Sequence, residues 1–366
     1  MLNCQLRGSL VNSVEKLDAP RSVAPPLIRL ILKDHFYCMN VSVVMSTYNR
    51  SRVLGQAIEG LLNQDTAGLS YEIIVVDNNS TDNTKQVIES YAQRDPKVKY
   101  VFEKKQGVAY GRNAGIEVAR GEYLAFCDDD VLVPTNWVRQ MHAALRRYPD
   151  ADFVGGRVLV RWEVPPPRWI DDRMAPLACQ DLGDEPFKVS LEYQRCLISA
   201  NLGVRRRAFE RAGLFDPTTQ RVGDSIGSTE DYDWELSVWQ NGGHGMYVPD
   251  VVCSAKVPAQ RMVKAYHRRW HLGHGKFNAI ARRSEYEGGA FRVLDVPSFM
   301  YRLATETAFQ CVGSLMKGNF AQAFHQENLL FFYLGFIRER WKQQLLGRGK
   351  TLSPPSTTSA RPAERS

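Results

Sequence analysis

The sequence lacks a long uninterrupted apolar run. The longest such run extends only from Leu329 to Ile337. A helix that crosses a bilayer needs about 20 consecutive apolar residues, so we predict no transmembrane helix. The first 38 residues also lack an apolar core followed by a small-residue cleavage site, which argues against a secretory signal. Because Met39 directly precedes the first clear strand, we expect it to be the natural start of the chain.

The sequence also lacks a cysteine pattern typical of disulfides or of a redox motif, since its seven cysteines are odd in number and include no C-x-x-C pair. A disulfide framework is therefore not expected, and a reducing cytosol is the simpler location. Cys127 lies beside an acidic run and has the chemistry of a nucleophile. In a strand, however, its side chain alternates away from its neighbours, so we predict that it is packed.

The bulk composition, with 44% hydrophobic and 24% charged residues, is that of a globular protein. The net charge of +7 is concentrated in three basic stretches, at residues 205–207, 261–283 and 338–350. Nucleic acid, anionic lipid, a phosphorylated substrate or simple solvation of helix faces would each account for such stretches. We predict four segments: a variable or disordered N-terminal extension (1–38), a main folded domain (39–257), a basic amphipathic helical extension (258–350) and a disordered tail (351–366).

Strands alternate with amphipathic helices through the first 150 residues. The predicted strands are 41–45, 71–76, 98–102 and 123–126, and the predicted helices are 52–63, 80–92, 107–119 and 135–147. This order predicts an α/β fold whose mostly parallel sheet is flanked by helices. Ligands of such sheets bind at the carboxyl ends of the strands. Further along, we predict a strand at 158–160 and helices at 205–213, 230–239, after Pro258, and from Leu294 to Leu346.

Three carboxylates, Asp128, Asp129 and Asp130, end one of these strands. Burying a run of carboxylates is costly unless a cation lies against it. Oxygen ligands of this kind suit a hard divalent metal. The alternative is a surface acidic turn.

Five segments, in this order, resemble the motifs of the family 2 glycosyltransferases, which have the GT-A fold. They are V-S-V-V-M-S-T-Y-N-R, V-V-D-N-N-S-T-D-N-T, G-V-A-Y-G-R-N-A-G, F-C-D-D-D-V and E-D-Y-D. The resemblance covers residues 41 to about 260. Each motif alone is weak, but five in the right order make a chance similarity improbable.

The resemblance implies that the D-x-D carboxylates Asp128 and Asp130 hold Mn²⁺ or Mg²⁺, with Asp130 as the more direct ligand and Asp128 also touching the donor. A divalent cation offsets the negative charge that grows on the leaving diphosphate. Asp129 is expected to point elsewhere.

The same resemblance places a donor pocket around the first two strand ends. Asp77 would accept a hydrogen bond from the nucleotide base, Tyr48 would stack on that base, and Arg50 would neutralise phosphate. Thr47 flanks the pocket. Arg112 would line it as well, although a structural ion pair with strand-end carboxylates is an open alternative.

Asp231 is the predicted catalytic base. The E-D pair of the family takes the proton of the attacking hydroxyl, and the outcome is inversion of configuration by single displacement. Alternatively, Glu230 and Asp231 only favour the N-terminus of their helix. Trp234, one turn later, is either a sugar platform or a core residue.

The sequence departs from the family before Val257 and Pro258, where many relatives have a histidine that completes the metal site. This chain has Cys253-Ser254-Ala255-Lys256 there. Lys256 could contact the diphosphate, and His271 or His274 could replace the histidine.

Taken together, these features predict a metal-dependent, inverting glycosyltransferase. It would move a sugar from a nucleotide-sugar, with a UDP-sugar as the expected donor, to a hydroxyl of a glycan or lipid-linked acceptor in cell-surface polysaccharide synthesis. We expect a cytoplasmic protein with peripheral contact to anionic membrane through the helices after Pro258, or else a packed helical cap there, and no nucleic-acid partner. The alternatives are a non-catalytic scaffold of the same fold and a nucleotidyltransferase. The latter would need a glycine-rich loop after the first strand, where this chain has Ser46-Thr47-Tyr48-Asn49.

Overall fold

The computed structural model describes residues 39–346 except 172–173, 224 and 288–290. The predicted extension 1–38 and tail 351–366 lie outside these residues. The strands are β1 (Met39–Thr47), β2 (Tyr71–Asp77), β3 (Val98–Phe102), β4 (Gly121–Phe126), β5 (Val131–Leu132), β6 (Phe153–Trp162), β7 (Phe187–Val189), β8 (Leu202–Arg205), β9 (Gly245–Val257), β10 (Arg292–Val293) and β11 (Val296–Pro297). The α-helices are α1 (Ser51–Leu62), α2 (Thr84–Arg94), α3 (Val108–Val118), α4 (Trp137–Arg147), α5 (Arg206–Ala212), α6 (Glu230–Gln240), α7 (Lys264–Ala281), α8 (Ser284–Glu287), α9 (Ser298–Met316) and α10 (Phe320–Leu345).

Within the described part of the chain, one nine-stranded sheet has the order β3-β2-β1-β4-β8-β6-β9-β5, with β7 pairing to β9. Its first four strands are parallel, as the alternation of strands and helices predicts. The structure adds β8, which lies antiparallel between β4 and β6. The predicted strand at 158–160 is the middle of the longer β6, which pairs in parallel with β9.

Helices cover both faces of the sheet because successive strand residues point to opposite sides. On β1, Val43 and Met45 join the apolar cluster that contains α1 and α4, whereas Val44 joins the cluster that contains α3 and α6. Both clusters are buried. The sheet is therefore rigid on both faces, and its carboxyl edge holds the loops after β1, β2 and β4 in fixed positions.

The helices after Pro258 differ from the prediction in one respect. Instead of one helical stretch from Leu294 to Leu346, a small β10–β11 hairpin precedes two helices, α9 and α10. The helices separate at Gly318, which has a φ of 69°, and the Asn319 side chain accepts a hydrogen bond from the Gln322 N–H to cap α10. A left-handed glycine followed by an asparagine cap ends one helix and begins the next.

These C-terminal helices pack on the sheet domain. Arg283 forms an ion pair with Asp233 of α6 at 2.7 Å, and the rings of His267 and Phe324 both contact Trp169. Over the described residues, no helix is long and apolar enough to cross a membrane.

Candidate active site

A cavity of about 700 Å³ opens at the carboxyl ends of β1 and β2 and beside the loop after β4. Three predicted donor-site residues, Thr47, Tyr48 and Arg50, line it, and so do Asp128 and Asp130. Parallel strands bring these groups to one edge of the sheet although they are far apart in sequence. The structure therefore brings together five of the predicted site residues.

The loop after β1 owes its shape to Asn49, which has a φ of 52°. Asparagine tolerates this left-handed conformation better than most residues. Its side-chain oxygen accepts a hydrogen bond from the Thr81 N–H at 2.8 Å, and its own N–H donates to Ser80 Oγ at 3.0 Å. The loop after β1 is thus fastened to the loop after β2, which fixes the neighbouring Tyr48 and Arg50 at the cavity.

The acidic run that follows β4 is paired with arginine throughout. Asp128 lies 3.5 Å from Arg112 Nη2, and Asp130 lies 3.4 Å from Arg50 Nη2 and 3.1 Å from Arg261 Nη2. Arg261 and Arg50 also line the cavity. The cavity therefore combines carboxylates with guanidinium groups on the same wall.

Asp129 is buried and also lines the cavity, and its Oδ2 accepts a hydrogen bond from Thr47 Oγ1 at 2.6 Å. Arg50 Nε lies 3.7 Å from its other oxygen. Burial raises the pKa of Asp129 to about 6; Arg50 opposes this shift, and the charge of Asp130 adds to it. Asp129 therefore acts in the structure mainly by holding Thr47 and the loop of Arg50.

The acidic residues fit a divalent cation only as part of a complex with a bound diphosphate. Among the described residues, no three His, Cys, Asp or Glu side chains converge to form a metal cage. Asp128 and Asp130 do offer hard oxygen ligands to the cavity. One or two carboxylates together with substrate phosphate and water are the usual ligands of Mg²⁺, so this donor set is sufficient for such an ion.

Neither candidate histidine joins these carboxylates. The Nδ1 atom of His274 lies 3.1 Å from the Gly227 carbonyl oxygen, and its ring stacks on Trp270. Burial lowers the pKa of both His271 and His274 to about 4. Lys256, the other predicted substitute, forms an ion pair with Glu163 at 3.0 Å and is not among the residues that line the cavity.

Arg112 occupies the centre of a buried charge network. Its Nη1 donates to Asp231 Oδ1 at 2.9 Å and to Glu230 Oε1 at 3.2 Å, and its Nη2 pairs with Asp128. Burial alone would lower the pKa of Arg112, but the charges of Asp231 and Glu230 raise it. Arg112 does not line the cavity, so the ion-pair alternative describes its contacts here.

Asp231 is held from two sides at the start of α6. Arg112 binds one carboxylate oxygen, and the Ser199 N–H and Oγ donate to the other at 3.1 and 2.9 Å. Two carboxylate oxygens can accept about four hydrogen bonds in all, which leaves one position for a further donor. Burial raises the pKa of the adjacent Glu230, and the charge of Asp231 raises it further, against the opposing charge of Arg112.

Asp77 has its side chain within the loop that follows β2. Its Oδ1 accepts from the Ser80 N–H at 2.9 Å, and its Oδ2 accepts from the Tyr100 hydroxyl at 3.3 Å. Burial, with a contribution from Asp77, raises the pKa of Tyr100 to about 12. The next residue, Asn78, lines the cavity instead of Asp77, and the predicted base contact of Asp77 stays a prediction.

Two other expectations about individual side chains are settled by burial. Trp234 is a core residue, because it is 2% exposed and its Nε1 donates to the Gly213 carbonyl at 3.0 Å. Cys127 is packed as predicted, and burial raises the pKa of its thiol. Neither residue takes part in the cavity.

Sequence reasoning missed several cavity residues, namely Arg221, Tyr266, Arg269 and Arg261. Arg261 could have been found, because it ends the V-P-x-x-R pattern that begins at Val257. Arg221 precedes no recognisable motif. Although desolvation alone would lower its pKa, the charges of Asp128 and Glu230 raise it.

Comparison with known proteins adds three findings. Residues 42–213 match the model of glycosyl transferase family 2. A glucosyl-dolichyl phosphate glucuronosyltransferase from Haloferax volcanii is 25% identical over 261 residues, which are 70% of this chain and 78% of that protein. A GalNAc(5)-diNAcBac-PP-undecaprenol beta-1,3-glucosyltransferase from Campylobacter jejuni is 41% identical over 92 residues, which are 25% of this chain and only 29% of that protein.

Among solved structures, a mannosyltransferase from Pyrobaculum calidifontis in complex with GDP-Man and Mn²⁺ has the same fold. The TM-score is 0.56 at 19% sequence identity, and the superposition covers 89% of this chain and 92% of the other.

Proposed function

The chain belongs to glycosyl transferase family 2 over residues 42–213, and from this premise we propose that it moves a sugar from a nucleotide-sugar to a hydroxyl of a glycan or lipid-linked acceptor. The expected donor is a UDP-sugar, and the expected process is cell-surface polysaccharide synthesis. The observation that carries this proposal is the composition of the cavity wall, where Asp128 and Asp130 lie beside Arg50 and Arg261. Such a wall suits an anionic diphosphate accompanied by a cation.

The arginines of the cavity would bind the diphosphate. Arg50 has a side chain that is 41% exposed and holds Asp130 only at 3.4 Å. A guanidinium at a solvent-facing position can exchange a carboxylate for a phosphate, because both anions match its fork of donors. Tyr48 would stack on the nucleotide base at the mouth of the cavity, and Asp77 would receive the base N–H if the loop after β2 rearranges.

Asp128 and Asp130 would hold Mn²⁺ or Mg²⁺. When bound, such an ion supplies positive charge against the leaving diphosphate. The solved mannosyltransferase of the same fold contains Mn²⁺, which agrees with this assignment. Thr47 and Asp129 would keep the loop of Arg50 in position beside the ion.

Asp231 would act as the general base. Arg112 and Ser199 fix the orientation of its carboxylate, and one acceptor position remains for the hydroxyl of the acceptor. A single displacement with the base on the side opposite the leaving group inverts the configuration of the anomeric carbon. Arg112 links Asp231 to Asp128 through one buried side chain, so it would align the base with the donor site.

The acceptor is proposed from the relatives. Two of them are named for dolichyl phosphate and undecaprenol-linked substrates, and such substrates reside in membranes. We therefore propose that the protein acts in the cytoplasm, in peripheral contact with the inner face of the membrane.

A non-catalytic scaffold is the second candidate. The observation that favours it is the full pairing of the acidic run, since Asp128, Asp129 and Asp130 each have an arginine partner. If these ion pairs were permanent, the cavity would bind neither cation nor diphosphate.

A donor screen separates the two candidates. Purified protein is mixed with a panel of UDP-, GDP- and TDP-sugars, with and without Mn²⁺, and examined by native mass spectrometry and by a nucleotide-release assay. We expect one nucleotide class to bind in the presence of Mn²⁺ and to be hydrolysed slowly. Folded protein that neither binds nor hydrolyses any donor would support the scaffold and contradict the enzyme.

A further inference from the structure

The end of the α9–α10 hairpin exposes a cluster of large apolar side chains. We call this cluster the hairpin tip, and it consists of Phe309, Val312, Leu315, Met316 and Phe320. Phe309 is 75%, Met316 84% and Phe320 67% exposed. Single exposed apolar residues are ordinary on protein surfaces, but a contiguous cluster marks a surface that binds something.

The exposed side chains of α9 lie on the face opposite the one that packs on α10. On α9, Cys311 Sγ lies 3.4 Å from the Ala323 carbonyl oxygen, and Ser314 Oγ donates to Gln326 Oε1 at 3.0 Å. These contacts define the face of α9 that packs on α10. Phe309 and Met316 each lie two residues from this face, which is about 200° around a helix, so they project from the opposite side.

Along the sequence of the hairpin, the formal charge next to the tip has one sign. From Thr307 to Gln326 the chain has no Asp or Glu, whereas Lys317 lies at the turn itself. The nearest carboxylates on either side, Glu306 and Glu327, are both in ion pairs, with Arg302 and Arg268. An apolar surface accompanied only by unpaired positive charge complements an anionic bilayer surface better than it complements a second copy of itself.

The start of α7 contacts α10 one turn after Phe320, the last residue of the tip. Lys264 Nζ is 5.0 Å from the centre of the Phe324 ring in the first turns of α10, and Val263 beside it is 50% exposed. Two residues earlier, Arg261 lines the cavity. Residues 261–264 therefore contact α10 next to the tip at one end and line the cavity at the other.

We propose that the hairpin tip inserts its apolar side chains into the interface of an anionic phospholipid bilayer, with Lys264 and Lys317 contacting lipid headgroups. Membrane binding by the tip would bring the cavity to a lipid-linked acceptor, and only this role rests on the proposed function. The inference moves the membrane contact predicted from the sequence away from Tyr266, which lines the cavity, and Trp270, which stacks on His274.

The test is sedimentation of the full chain with vesicles of phosphatidylcholine and phosphatidylglycerol, compared with vesicles of phosphatidylcholine alone. We expect binding to the anionic vesicles that weakens with salt. The variant Phe309→Ser/Met316→Ser/Phe320→Ser should bind at least about tenfold less, because membrane binding scales with the apolar area buried. The matched control Leu334→Ser/Leu345→Ser, also at exposed apolar positions of α10 (54% and 74%), should bind as the parent protein does.

Donor binding in solution, measured on the same preparations, distinguishes this inference from the proposed function. All three proteins should bind nucleotide-sugar equally. Parent protein that binds donor but no vesicle would overturn the membrane inference and leave the function standing. A tip variant that keeps the vesicle affinity of the parent would also overturn it, and loss of that affinity on deletion of residues 1–38 would then assign the membrane contact to the N-terminal residues. Absence of vesicle binding, together with sedimentation-velocity data in which the parent is a dimer and the tip variant a monomer, would show instead that the tip is a dimer interface.

Discussion

The acidic run after β4 and the acidic pair at the start of α6 are both neutralised by arginine, but in different ways. Arg50, at the acidic run, has a side chain that is 41% exposed and approaches Asp130 at 3.4 Å. Arg112, at the acidic pair, is 5% exposed and approaches Asp231 at 2.9 Å. The first pairing can open toward solvent, whereas the second is enclosed by protein.

This difference separates binding from orientation. An exposed ion pair contributes little to stability and can be replaced by a ligand at small cost. A buried one cannot lose a partner without leaving an uncompensated charge. We therefore assign the acidic run with Arg50 and Arg261 to the donor and its cation, and Glu230, Asp231 and the buried Arg112 to the fixed alignment of the base.

The largest effect is expected at Asp231. Asp231→Asn keeps the shape of the side chain and removes its ability to take a proton, so sugar transfer should fall by about 10²–10⁴-fold. Donor affinity should change little, because Asp231 does not line the cavity. Single-turnover transfer and donor titration by calorimetry measure the two effects separately. A parallel loss of donor binding would contradict the separation of the two regions.

Arg112 and Arg50 provide a direct comparison of stability. Arg112→Met leaves Glu230, Asp231 and Asp128 without their shared cation, and the free energy of unfolding should fall by about 3–5 kcal/mol. Arg50→Met should lower it by no more than about 1 kcal/mol. Urea denaturation of both variants tests this; Arg112→Lys serves as the control that keeps the charge. Equal losses of unfolding free energy in Arg112→Met and Arg50→Met would contradict the distinction between a buried and an exposed ion pair.

Asp129 gives the buried side of the acidic run a pH signature. Its pKa is raised to about 6 in the folded protein, compared with about 3.9 in an unfolded chain. A raised pKa favours the protonated form, so its stabilising contribution is present below pH 4 and is lost as the pH rises through 6. Between pH 4 and 7, the free energy of unfolding of the parent relative to Asp129→Asn should fall by about 3 kcal/mol. If the unfolding free energies of the parent and of Asp129→Asn change with pH in parallel across this range, the raised pKa of Asp129 is contradicted.

Arg261 should affect ligand affinity, because it lines the cavity. In Arg261→Met the cavity loses one guanidinium that can bind phosphate, and affinity for a nucleoside diphosphate should fall by about tenfold, as for the loss of a charge-assisted hydrogen bond. Lys256→Met is the matched control, because Lys256 pairs with Glu163 outside the cavity lining. A larger loss of nucleoside diphosphate affinity in Lys256→Met than in Arg261→Met would contradict the assignment of the diphosphate to Arg261.

The sheet edge could be predicted because β1, β2 and β4 are short apolar runs that end in polar groups. β9 could not be predicted in this way, because Pro249-Asp250 within it has the sequence of a turn. In the structure these two residues lie at a shift in the β6–β9 register, between Gly155 and Arg157 of β6. β8 was missed because it contains Gly203. An added Cβ there would lie 2.4 Å from the Met141 sulfur, so this glycine serves a close helix contact and not a turn.

The site was predicted less completely than the fold. Motif order located Asp128, Asp130 and Asp231, but the partners of Arg112 lie 118 and 119 residues away. No local pattern encodes such a pairing, so the resemblance left its donor-site and ion-pair roles open. The same holds for Arg221, in the loop before α6, and for Tyr266 on α7, because both line the cavity although they lie far along the chain from its strand-end residues.

The central claim is that Asp130 exchanges its pairing with the exposed Arg50 for a cation when a diphosphate binds, with Asp128 as the second carboxylate ligand of that cation. Titration of UDP into the protein by calorimetry, with Mn²⁺ or with chelator, tests it on the parent and on Asp128→Asn/Asp130→Asn. The account predicts tight binding only for the parent with Mn²⁺, and loss of the Mn²⁺ dependence in the double variant. Binding of UDP that is identical in all four experiments would contradict it.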